Sequence, residues 1–192
     1  MNMTNIICRR ALAADYPGII ALHRQNLFSN LSELERHNGF LSIDFKDASQ
    51  LATINEDVAV IVAVQENTVV GYVCATTQEY SQQIPLLKYK MSLYPETMFQ
   101  GQPLSNYRSF SYGPVCVAAA YRGTGILQGL FQALLAQVAT RFNAGVAFVA
   151  NDNQRSLRAH TQKLGMEMLR DFEFNGNSYA MIGFTVPPLP HS

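Results

Sequence analysis

Val58-Ala59-Val60-Ile61-Val62-Ala63-Val64 is apolar at every position, the pattern of a strand covered on both faces. Glu66-Asn67 supplies a turn, and Thr68 to Thr77, with Val69, Val70, Tyr72 and Val73, returns as its hairpin partner. Before them, Asn5 to Ala11 reads as a first strand. A helix starts near Ala14-Asp15-Tyr16-Pro17, with Asp15 as its cap and Pro17 in the first turn. Leu31 to Asn38 and Ala48 to Ile54 read as further helices, and Gly39 to Asp47 is irregular. Ser81 to Tyr94 reads as helix and Phe99 to Asn106 as loop. Tyr107 to Val117 is a long strand, whose pairing must be irregular at Gly113-Pro114 because proline cannot donate to a ladder. Ile126, Leu127, Leu130, Phe131, Leu134, Leu135 and Val138 form a wide apolar stripe on a helix over 124–142. Gly145 to Ala150 is a short buried strand, and Asn153 to Leu164 a helix ended by Gly165. Met166 to Phe174 and Ser178 to Val186 form a hairpin about Asn175-Gly176-Asn177. The order predicts a mixed α/β domain over 1–192, with 186–192 a frayed tail.

Composition narrows the function classes. A chain of 192 residues, 48% hydrophobic and 15% charged, is globular in character. Fourteen basic and fourteen acidic residues cancel, so no basic field points to nucleic acid. Cys8, Cys74 and Cys116 are an odd, widely spaced set inside apolar runs, which argues for free thiols and against a disulfide framework or a metal site. Met1 to Asn5 lacks the start of a secretion signal, and no window reaches membrane-helix length. The expectation is a soluble cytoplasmic protein without a membrane or metal role.

The chemistry concentrates where the strand ending at Val117 turns through Tyr121-Arg122-Gly123-Thr124-Gly125 into the apolar helix. Amides of the first helical turn have no partner within the helix, and they converge with the positive end of its dipole. That geometry suits phosphate oxygens. The loop lacks the Gly-Lys-Ser/Thr of nucleoside-triphosphate binders, and it lacks the three-glycine dinucleotide fingerprint.

Residues 107–166 resemble the GNAT superfamily of N-acetyltransferases. The resemblance rests on Val115-Cys116-Val117, on Tyr121 to Ile126, on Asn153-Gln154-Arg155-Ser156-Leu157-Arg158-Ala159-His160, and on Leu164-Gly165-Met166. It implies a mixed, mostly antiparallel sheet flanked by helices. It also implies transfer of an acetyl group from acetyl-coenzyme A (acetyl-CoA) to a primary amine of a small molecule or peptide, by direct attack in a ternary complex. By resemblance, Arg122, Gly123, Thr124, Gly125, Ile126 and Leu127 hold the cofactor's pyrophosphate through backbone amides. Cys116 and Val117 pair with the pantetheine arm, with the Val117 N–H near the thioester carbonyl, where one donor is worth roughly 3 kcal/mol. Asn153 contacts the arm, and Ser156 lies one turn further along the same face. His160 stands where many relatives carry the tyrosine that protonates the departing thiolate; His160, Ser156 or a nearby tyrosine could supply that proton. Two departures stand out: Leu127 replaces a Gly or Ala, and His160 to Gly165 is one residue longer than the commoner spacing.

For the base, Glu79 acting through water and simple positioning of the reactants both stay open. Arg155 and Arg158 meet phosphates or face water. Tyr80, Tyr89, Tyr94, Tyr107 and Tyr112, with residues 28–47, mark the expected acceptor side. The implied partners are the amine acceptor and a second copy of the chain in a homodimer. The rival from another class is a non-catalytic module of the same fold that binds acyl-CoA and regulates a partner.

Overall fold

A computed structural model describes residues 6–188. Seven strands form one sheet in the order β1-β2-β3-β6-β7-β9-β8: β1 (Ile7–Arg10), β2 (Ala59–Gln65), β3 (Thr68–Thr76), β6 (Ser109–Val117), β7 (Ala144–Ala150), β8 (Glu167–Phe174) and β9 (Asn177–Thr185). All neighbours are antiparallel except β6 and β7. The helices are α1 (Tyr16–Gln25), α2 (Glu33–Arg36), α3 (Ala48–Asp57), α4 (Gln78–Ser81), α5 (Pro85–Ser92), α6 (Ile126–Val138) and α7 (Gln154–Arg158). A two-stranded ribbon, β4 (Met98–Phe99) with β5 (Gln102–Pro103), lies in the stretch expected to be loop.

Alternation along β2 explains its unbroken apolar run. Ala59, Ile61 and Ala63 enter one core cluster with Leu130 and Leu134 of α6. Val60 and Val62 enter another with Ile19 of α1 and Leu51 and Ile54 of α3. Helices therefore cover both faces of this half of the sheet, and each face excludes water. A third cluster joins Leu86 of α5, Phe99 and Leu104 to Val146, Phe172 and Met181 in the other half. Cys8, Cys74 and Cys116 are free thiols, the latter two buried.

Several local expectations give way to side-chain chemistry. Asp15 is the residue before α1 but makes no cap bond; its carboxylate takes Arg9 Nη1 at 2.6 Å and the Leu12 amide at 2.7 Å instead. The helix expected over 31–38 shrinks to α2, fixed by a reciprocal Ser32–Glu35 capping box. The helix expected over 81–94 divides, because Pro85 has no amide to continue a helical ladder and opens α5. The last helix also changes character: α7 passes into a π-helical turn, Ala159–Lys163. A π turn holds one residue more than an α turn, which absorbs the extra residue between His160 and Gly165. At the C-terminus Val186 is not frayed; it is buried, and its amide donates to Asn143 O at 2.9 Å. Residues 189–192 of the expected tail, and residues 1–5, read from sequence as no secretion signal, lie outside the described residues.

The feature that positions the site is a parting of two strands. β6 pairs β7 only from Ser109 to Ser111. Its pairing with β3 continues to Val117 after a register shift across residues 112–115, where Gly113-Pro114 sits in a cis peptide. Beyond Ser111, the edge of β6 that faces β7 has no strand partner, and a cleft opens there.

Candidate active site

A cleft of about 420 Å³ runs along the freed edge of β6 to the start of α6. Val115, Cys116, Val117, Arg122, Gly123, Gly125, Leu127, Asn153, Ser156 and His160 all line it. Thr124 and Ile126 do not: Thr124 Oγ1 donates to Tyr121 O at 2.6 Å, and Ile126 is buried in the α6 core. Gly123 and Gly125 have φ of +83° and +93°, a left-handed backbone that favours glycine, and a Cβ on either would meet nothing within 4 Å. Gly125 caps α6 without any side-chain bond, so its first-turn amides are not satisfied by a cap.

Charge in the cleft is one-sided. Arg122, Arg155, Arg158 and Lys163 line it together with His160, and no Asp or Glu does. The Arg122 guanidinium is not free: it donates to Val117 O at 3.0 Å, Asn38 O at 2.7 Å and Asn26 Oδ1 at 2.8 Å. Asn153 is similarly engaged. Its Oδ1 accepts the Ser156 amide at 3.3 Å and its Nδ2 donates to Phe40 O at 2.9 Å. Arg155 Nη1 reaches Asn38 Oδ1 at 3.4 Å. Three side chains of the cleft thus pin residues 38–40 over it. No local pattern in the sequence announces contacts between positions more than 80 residues apart.

A second, smaller cavity of about 120 Å³ shares Phe40, Leu41, Val115, Asn153, Ser156 and His160 with the cleft. Of the residues expected on the acceptor side, 40–45, Tyr80 and Tyr112 line it. Tyr89, Tyr94 and Tyr107 do not. Tyr94 is core, Tyr89 packs on Phe172 and Phe174, and Tyr107 donates to Phe99 O. Glu79 is exposed in the first turn of α4 and lines neither cavity. The carboxylate that lines the second cavity is Asp44, which the sequence does not single out.

His160 is 4% exposed and stands where the two spaces meet. Its Nδ1 is 2.8 Å from Ser156 O and 3.4 Å from Ser156 Oγ. A carbonyl only accepts, so Nδ1 carries the ring proton and Nε2 the lone pair. Burial lowers the His160 pKa below the usual 6.5, although Ser156 O opposes this, and the ring is neutral at pH 7. Among the described residues, His160 Nε2 and Tyr112 Oη are the buried side-chain polar atoms with no hydrogen-bond partner. Their rings meet edge to face, with centroids 5.6 Å apart. Cys116 is a thiol, its pKa pushed up to about 12 by burial.

The model of the acetyltransferase (GNAT) family matches residues 25–166. The chain belongs to that family. The fold agrees. An N-acetyltransferase from Staphylococcus aureus Mu50 has a TM-score of 0.63 at 15% identity, over 96% of this chain and 100% of that one. The yncA protein of Salmonella typhimurium, solved with its cofactor acetyl-CoA, has 0.62 at 16% identity, over 98% of each chain. A GNAT phosphinothricin acetyltransferase from Sinorhizobium meliloti, in complex with acetyl-CoA, has 0.63 at 16% identity, over 97% of this chain and 92% of that one. No curated protein matches the sequence. Among the described residues of this GNAT chain, no helix is long and apolar enough to cross a membrane, and no three His, Cys, Asp or Glu side chains group to hold a metal ion.

Proposed function

We propose that the chain is an acetyl-CoA-dependent N-acetyltransferase that acts on a primary amine by direct attack in a ternary complex. The observation that carries this reading is the junction at His160 of two cavities, one lined by four fixed cations and the other by none. The basic cleft fits acetyl-CoA by its donors. First-turn amides of α6 donate to a diphosphate, for which the open glycines at 123 and 125 leave room, and Arg155, Arg158 and Lys163 supply countercharge. The unpaired edge of β6 at Cys116 and Val117 suits an extended amide-bearing arm. Asn153 Nδ2 keeps a second hydrogen for that arm beyond the one given to Phe40 O. When bound, acetyl-CoA supplies an acyl carbon activated by a thiolate leaving group.

The protein's part is to hold the two reactants together and to handle one proton. As the nitrogen–carbon bond forms and the carbon–sulfur bond breaks, the nitrogen must lose a proton and the sulfur must gain one. His160 Nε2, with a lone pair and no partner, receives the amine proton and passes it to the sulfur. His160, one of the candidates for the acid by resemblance, thereby serves first as a base, and neither Glu79 nor another carboxylate is required. Ser156 fixes the ring through its carbonyl, and the Val117 amide is the donor for the acetyl oxygen.

The test pairs calorimetry of coenzyme A binding with thiol release from acetyl-CoA in the presence of an amine panel. Binding with amine-dependent thiol release is expected. Binding without release from any amine would replace this reading with the non-catalytic acyl-CoA module, and no binding would remove both.

A further inference from the structure

The smaller cavity differs from the cleft in its chemistry. Ile43, Phe45, Ile54, Ile84, Leu87 and Phe148 give it an apolar wall. Its polar groups are neutral, including hydroxyls of Thr76, Tyr80, Ser111 and Tyr112, apart from Asp44. No Lys or Arg lines it. Asp44, with a side chain 53% exposed, lies 3.6 Å from His23 Nε2 and makes no ion pair with Lys or Arg among the described residues. His23 does not neutralise it: burial lowers the His23 pKa despite the Ile43 carbonyl and Asp44, and keeps the ring uncharged. Behind the wall, Lys90 is fully buried with Nζ on Ser111 Oγ at 3.4 Å and Val146 O at 3.3 Å.

We propose that this cavity is the acceptor site and that it takes a primary amine on a small, uncharged, apolar body, of the arylalkylamine class. The inference rests on the reading of the chain as an N-acetyltransferase. Asp44 attracts the amine in its ammonium form, which gives its extra proton to water at the exposed Asp44 end before the neutral amine attacks, and the apolar wall buries the body. The amine's N–H groups meet His160 Nε2 and Tyr112 Oη, the two buried side-chain polar atoms without a partner among the described residues. An amine that also carries a carboxylate or phosphate finds no guanidinium or ammonium on the lining and faces the like charge of Asp44. Its anion would give up hydration without compensation.

The experiment compares three acceptors that share a phenylethylamine unit by thiol release from acetyl-CoA: 2-phenylethylamine, phenylalanine, and a short peptide with an N-terminal phenylalanine. The expected kcat/KM for 2-phenylethylamine exceeds that for phenylalanine by about 100-fold, the scale of one like-charge juxtaposition. Asp44→Asn is expected to raise KM for 2-phenylethylamine and to narrow the gap to phenylalanine, with coenzyme A affinity by calorimetry unchanged. Phenylalanine or the peptide reacting as fast as 2-phenylethylamine would overturn the substrate class while leaving the N-acetyltransferase reading in place. A gap unaltered by Asp44→Asn would overturn the role of its charge. Coenzyme A binding with no thiol release from any of the three or from the wider panel would overturn both readings.

Discussion

His160 shows how a single side chain acquires its chemistry from its surroundings. Its ordinary pKa lies near neutrality, which from sequence makes it an acid as readily as a base. The π turn places Nδ1 against Ser156 O, and burial disfavours the imidazolium. The proton position then follows: Nδ1 donates, and Nε2 is left as an acceptor. Replacing His160 with Phe should lower kcat at least about 100-fold, the usual worth of a positioned base, with little change in coenzyme A affinity. His160→Gln separates the proton from packing, because it retains polarity without a basic lone pair. Stopped or steady-state turnover equal to the parent in both variants would take His160 out of the mechanism. Arg122 illustrates the opposite case. Its loop is readable as an anion site, yet its guanidinium serves as a structural tie from Val117 O to Asn26 and Asn38.

Among the elements, the junction of β6 and α6 carries most of the proposed cofactor site. α6 is anchored by Ile126, Leu130, Leu134 and Val138 in the core, so its first turn is held in a fixed direction while Gly123 and Gly125 stay open. An Asp at position 125 would bring a negative charge to the proposed diphosphate position and force a side chain into a left-handed backbone, a strain of about 1–2 kcal/mol. Gly125→Asp is therefore expected to abolish coenzyme A binding in calorimetry while thermal unfolding stays cooperative. Unaltered affinity would contradict the assignment of this loop. The neighbouring β6–β7 parting is equally an element-level property. It depends on where ladder pairing stops, at Ser111, and that position is set by the partner strands rather than by β6 alone.

At the scale of the molecule, three buried bases among the described residues make stability depend on pH. Burial lowers the pKa values of His23 and His160 below 6.5 and that of Lys90 from 10.5 to about 7. In His23, Nε2 lies 2.9 Å from Ile43 O and Nδ1 2.5 Å from Tyr72 Oη; protonation would remove the lone pair that accepts the Tyr72 hydroxyl. For each group the unfolded chain binds the proton that the folded chain refuses, so stability rises with pH through the interval between the two pKa values. The histidines act below pH 6.5. Lys90 acts above pH 7, with a limiting slope of about 1.4 kcal/mol per pH unit. Above pH 9 the sign reverses, because burial raises the pKa of Cys74 and Cys116 above the usual 9.0 and the unfolded thiols ionise first. Denaturant unfolding from pH 5 to 10 should show stability rising to a maximum near pH 9. Lys90→Met should flatten the limb between pH 7 and 9; persistence of the same slope would show that Lys90 is not its source.

The sequence by itself determined what local pattern can determine. The apolar run of β2 required cover on two faces, and the Asn175-Gly176 hairpin and the glycine-bearing β6–α6 turn follow from residue types at short spacing. The resemblance carried by 107–166 named the fold and family correctly, because its motifs are contiguous. Tertiary structure alone decided the rest. Asp44 and His160 line one cavity although 116 residues separate them, residues 38–40 lie across the cleft because Arg122, Asn153 and Arg155 hold them there, and Lys90 is buried behind Ser111. Such contacts depend on how β6 and β7 part and on which helix covers each face. Burial and the lack of a partner, which give Nε2 of His160 its proposed role, are properties of that packing and of no stretch of sequence.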